Sequence, residues 1–119
     1  MKKTSIPKKH VYIVAATVRR ADAILDERRM NMYRQAPNYP VKWVRSKHEL
    51  WYGVKVLHAV SIFQVLHSFD AQHVDSWAFD DTISKCKTDD IVQAVKILQN
   101  AFDLKDWERR MKIINKSVR

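Results

Sequence analysis

The residues most clearly able to do chemistry in this chain are its cations. Lys105, Arg109, Lys112, Lys116 and Arg119 recur at steps of four and three near the C-terminus. On a helix turning about 100° per residue they share an arc of roughly 80°. Such a stripe can follow a phosphate backbone or an acidic groove. A second group, Lys42-Trp43-Val44-Arg45-Ser46-Lys47, mixes Lys42, Arg45 and Lys47 with an aromatic ring. Single-stranded nucleic-acid binders use that mixture, cations for phosphate and a ring for base stacking. The competing readings are a solvated helix face for the stripe and a core anchor for Trp43.

Catalytic sets are sparser. The histidines are His10, His48, His58, His67 and His73. His67, Asp70 and His73 are spaced by threes, the one arrangement with metal-like character and the basis of a metal-dependent hydrolase reading. Two histidines with ordinary hydrogen bonds at a helix end explain the same pattern, and neither metal nor cofactor is expected. Cys86 has no placed histidine partner, which argues against a thiol nucleophile. One glycine in the whole chain rules out a glycine-rich phosphate loop. A helix-turn-helix around Lys85-Cys86-Lys87-Thr88 fails because its recognition helix would open with Asp89 and Asp90 against phosphate. A non-catalytic protein is the expectation.

The elements that must position these groups read as helices. The stretch Ser46 to Phe69 is apolar on every side once it is wound at helical pitch, and Ser46 with Glu49 has the form of a capping box. A helix that is apolar all round must be covered all round, so this stretch reads as a central helix wrapped by the rest. His10 to about Arg34 shows helical spacing through Val11, Val14, Val18, Ala21, Leu25 and Met32, with a short strand at Val11 to Val18 as the rival. Pro37 and Pro40 end that helix, and Val41 to Arg45 is an extended connector. Thr88-Asp89-Asp90 starts another helix, and Asp103 caps a last one with an apolar face of Leu104, Trp107, Met111, Ile114 and Val118. Residues 70–87 hold at most a short helix. The expected fold is therefore all-α, a single-domain bundle of about five helices (residues 10–119) behind a basic arm (residues 1–9). Scarce glycine supports it, because sheets joined by tight turns spend glycine.

Charge and composition narrow the partners. Of a net charge of +9, residues 1–55 carry 13 Lys/Arg against 4 Asp/Glu, and residues 56–103 carry 3 against 7. A basic exterior around a mildly acidic middle suits a polyanionic partner. The single cysteine fits a reducing, cytoplasmic setting, and the short apolar run before Arg19 and Arg20 reads as a mature N-terminus rather than a leader. Lys55, His58, Gln64 and His67 argue against a membrane span. The expected function is binding of nucleic acid, DNA or RNA, or of a nucleoprotein, in a regulatory or accessory role. The alternative is an adaptor or inhibitor for an acidic protein, with Gly53, Val60, Ser61, Gln64 and Ser68 as a small-residue homodimer seam on the central helix.

Overall fold

The structure, a computed structural model, describes residues 8–44, 48–69 and 74–117, with side chains through residue 103. It is not an all-α bundle. The chain runs β1 (Lys9–Ala15), α1 (Val18–Gln35), β2 (Val41–Val44), β3 (Glu49–Tyr52), β4 (Lys55–Ser61), α2 (Ile62–Ser68), β5 (Ser76–Phe79), a 3-10 turn (Asp81–Lys85) and α3 (Thr88–Ser117). The five strands form one mixed sheet in the order β2-β3-β4-β1-β5. β1 pairs in parallel with both β4 and β5, while β2-β3-β4 is an antiparallel meander.

Two cores lie on opposite faces of this sheet. On one, Ala21, Ile24 and Leu25 of α1 pack against Ala15, Leu50, Leu57 and Ala59. On the other, Ile62 and Val65 of α2 and Ala94 and Leu98 of α3 pack with Val14 and Ile83. The split follows the pleat, since successive side chains of a strand point to opposite faces: Val14 goes one way and Ala15 the other. Residues Val56 to Ala59 of β4 are all buried.

This explains why the central-helix reading of Ser46 to Phe69 is overturned. The stretch divides into β3, β4 and α2, with Val54 and Phe63 exposed, and only Val56 to Ala59 is buried throughout, as part of a strand with helices above and below. A doubly covered parallel strand is a continuous apolar run, and its periodicity does not separate it from a buried helix. Glu49 sits in β3 opposite Val44, so it cannot close a helix cap with Ser46, which lies outside the described residues. The small-residue seam goes with the helix. Gly53 is in the β3–β4 loop, Val60 and Ser61 end β4, and Gln64 and Ser68 belong to α2. Ser61 and Gln64 instead form a reciprocal capping box at the start of α2.

Elsewhere the boundaries shift more modestly. The rival strand over the valine-rich run is the correct half of His10 to Arg34, and Thr17 caps the helix that follows by accepting from the Arg20 amide at 3.1 Å. α1 ends at Gln35, just before Pro37. Val41 to Val44 of the connector is extended, as strand β2. α3 begins at Thr88 and runs unbroken through Asp103 to Ser117, so the separate last helix is merged into it. At Asp103 the carboxylate accepts from the Gln99 side chain one turn earlier, at 3.0 Å, as an interior helix residue does.

The scarcity of glycine misled because the parallel part of this sheet is connected through helices. The β3–β4 hairpin has a two-residue loop, Gly53-Val54, and Gly53 takes φ +57 there. A Cβ at Gly53 would also run into the Tyr39 hydroxyl, the far end of a half-exposed side chain that can swing away. Gly53→Ala is therefore expected to lower stability by about 1 kcal/mol through the backbone, and Gly53→Asn by less. Urea denaturation of the two variants measures the difference.

Candidate functional site

Two places concentrate polar and charged side chains. The first is at the carboxyl ends of β1 and β5. After β1 the chain rises to α1 on one face, and after β5 it turns to Ile83 and α3 on the other. The two exits diverge and leave a crevice between them, the topological switch point of a parallel sheet. Arg20 from α1 reaches across it to Asp80, with Nε 3.1 Å from Oδ2 and a terminal guanidinium nitrogen 3.3 Å from Oδ1. Asp80 Oδ2 also accepts from the Thr82 amide at 3.2 Å and the Thr82 hydroxyl at 2.6 Å, while that hydroxyl oxygen accepts from the Ala16 amide at 3.1 Å. The Arg20 guanidinium and the Thr82 donors hold the Asp80 carboxyl well down, at about 2. Arg20 and Asp80 thus tie α1 to the end of β5. Beside them a cavity of about 320 Å³ is lined by Ala16, Thr17, Arg19, Arg20, Ala23, Thr82 and Lys85.

The second place is the face of β3 and β4 turned away from α1. The register puts Lys42 beside Trp51 and Glu49 beside His58. Among the described residues, the core cluster under α2 and α3 draws nothing from β2 or β3. The Lys8 ammonium lies 5.6 Å from the centre of the Trp51 ring and donates to the Gly53 carbonyl at 2.8 Å. Among the described residues, Lys8, Pro40, Val41, Lys42, Trp51, Tyr52 and Gly53 line a cleft of about 360 Å³, and the charged ones in that lining are the two lysines.

Next to it, His58 Nδ1 is 3.4 Å from Glu49 Oε2, and its Nε2 is 2.8 Å from His10 Nδ1. Between His58 Nε2 and His10 Nδ1 one ring nitrogen donates and the other accepts, according to the tautomer. The Tyr12 ring stacks on His58 with centroids 4.2 Å apart. Burial pushes the His58 imidazole down to about 4, against the pull of Glu49 and with a push from His10. Burial, then Glu49, pushes the Tyr12 phenol up to about 12. Glu49 also accepts from the Trp51 indole at 3.0 Å, so the neutral His58 network and the cleft share a wall.

Of the residues expected from sequence, Lys42 is exposed on β2. Trp43 is half-buried on the opposite face of β2, packed against the first core with the Arg29 guanidinium over its ring at 4.9 Å. The two are therefore parted by the sheet. Arg45 and Lys47 lie outside the described residues, as do Arg119, Asp70 and His73. Lys105, Arg109, Lys112 and Lys116 lie along α3. His67 is exposed at the end of α2, its ring 4.3 Å from that of Phe63. Among the described residues no three His, Cys, Asp or Glu side chains gather in a metal-holding group. No described helix is long and apolar enough to cross a membrane.

Sequence reasoning missed Trp51, Glu49, His58 and His10 as a group. They meet only through strand register: His10 pairs with Val56, and Glu49 with His58. Thr17 ahead of a helical run was a readable cap signal for α1. Nothing in the sequence marks its coupling through Arg20 to Asp80, 60 residues later. No protein-family model, curated protein or solved structure matches this chain.

The buried imidazole sets a pH dependence. An unfolded His58 takes a proton near its ordinary value of 6.5, whereas the folded one resists until about 4. Between those values the unfolded chain binds more protons, so stability is full above pH 6.5 and falls as pH is lowered toward 4, by up to about 3 kcal/mol. The loss from Asp80 comes lower still, between its ordinary 3.8 and about 2. Denaturation midpoints measured across pH 7 to 4 are expected to decline, and His58→Gln to flatten that decline.

Proposed function

We propose that this protein binds single-stranded nucleic acid, non-catalytically and in a regulatory or accessory role in the cytoplasm, on the open face of β2 and β3. The observation that carries this reading is the Trp51 ring, with the Lys8 ammonium 5.6 Å from its centre and Lys42 as its cross-strand neighbour. A base can lie on an aromatic ring while ammonium groups take the flanking phosphates, an arrangement that tolerates many sequences. The cleft there has no acidic lining residue, and the chain's net charge of +9 favours approach of a polyanion.

A single strand is favoured over a duplex because stacking needs a splayed base. The cations Lys105, Arg109, Lys112 and Lys116 support the reading from a second direction. Their three- and four-residue spacing keeps its helical meaning, because α3 is one uninterrupted helix.

Anisotropy of a labelled oligonucleotide tests this. Trp51→Ala is expected to weaken binding by about 5- to 100-fold, the range of one lost base stack. Lys42→Glu, at an exposed site with little bearing on folding, is expected to lower the slope of log affinity against log salt by about one. Unchanged affinity and slope in both variants, at low salt, would sink the proposal.

A further inference from the structure

We infer that the crevice between the ends of β1 and β5 is a second binding site, for a small phosphate-bearing ligand. This inference does not rest on the nucleic-acid reading. The two places lie at opposite ends of β1, about 20 Å apart along a seven-residue strand.

Topology makes the crevice. In open parallel sheets the loops that leave neighbouring strands toward opposite faces part at their carboxyl ends, and ligands enter there. Here that parting falls between Ala15 and Phe79, the last residues of β1 and β5. Hydrogen bonds span the gap. Arg20, Asp80, Thr82 and Ala16 form one hydrogen-bonded network across the mouth, and the Asp80 amide donates to the Val14 carbonyl at 2.8 Å.

Charge decides the ligand. The wall of the 320 Å³ cavity is mostly apolar, Arg19, Arg20 and Lys85 contribute to it, and no carboxylate does. Asp80 occupies Arg20 in a two-point pair, and Glu27 lies 3.4 Å from its remaining nitrogen. Arg19 and Lys85 make no ion pair among the described residues, and both are exposed at the rim. Two exposed cations from opposite walls suit a compact dianion better than a single carboxylate. The hydroxyl of Thr17 already accepts from the Arg20 amide, and its own proton is left to donate to a ligand. Ala16 and Ala23 supply a small apolar wall for the rest of the ligand. The volume is at the lower end for small-molecule sites, which limits the ligand to about one ring beyond its phosphate.

Phosphate chemistry could also come from a nucleic-acid backbone, so the test separates the two sources. The full-length protein, labelled with nitrogen-15, is titrated with inorganic phosphate and with pyrophosphate, and with chloride at matched ionic strength. The inference expects saturable shifts confined to the amides of Val18 to Arg20 and Thr82 to Lys85. Arg19→Gln with Lys85→Gln, which leaves the Arg20–Asp80 pair intact, is expected to weaken phosphate binding by roughly tenfold or more. An unaltered spectrum elsewhere shows that the double variant is folded. Shifts that track ionic strength over all exposed lysines, or equal binding by the double variant, would overturn the inference. In a third arm an oligonucleotide is added to phosphate-saturated protein. Co-binding, with crevice shifts retained, supports a separate small-ligand site, and displacement of phosphate overturns it by making the crevice part of the nucleic-acid path.

Discussion

The constraint on which this structure depends is that β1 pairs in parallel on both of its sides. Parallel neighbours cannot be joined by a tight turn, so each pairing demands a long connection. The first passes through α1 and the β2-β3 meander to β4, and the second through α2 to β5 on the other side of β1. Both faces of β1 and β4 are then covered. The apolar character of Val14, Ala15, Val56, Leu57 and Ala59, all buried, is the consequence.

What lies beyond each side of the parallel core also produces the two candidate sites. On the β5 side the chain leaves the sheet toward opposite faces, and the crevice bridged by Arg20 and Asp80 opens between the exits. On the β4 side the sheet continues into two antiparallel strands, and α1 covers only one of their faces. The face turned away carries Lys42, Trp51 and Glu49. Each site is thus a place where the doubly covered parallel core gives way to something else. The Glu49–His58–His10 chain lies at that border, where burial pushes the His58 imidazole down between Glu49 and His10.

How much of this was legible in the sequence differs by element. Features set within a few residues could be read: Thr88 with Asp89 and Asp90 as a helix start, Pro37 as a stop, and Val41 to Val44 as extended. The fold class could not, for a reason specific to Lys55 to Ser61. An apolar run of this length satisfies a buried helix and a doubly covered strand equally, and only long-range pairing separates them. Gly53 compounded the error. On a central helix it joins the small-residue seam, whereas in the structure its positive φ turns the hairpin.

The sequence by itself determined the charge balance and several local starts and stops, together with the apolar character that buries Val56 to Ala59. Those properties reside in single residues and their near neighbours, so they survive any choice of fold. Only the tertiary structure decided that the cover comes from helices on either face of a sheet. It also decided that Trp51 lies beside Lys8 and across from Lys42, and that Arg20 meets Asp80. Such pairings depend on strand register and crossover side, which are fixed when distant segments compete for the same partners. A one-residue slip would turn every side chain of a strand to its other face.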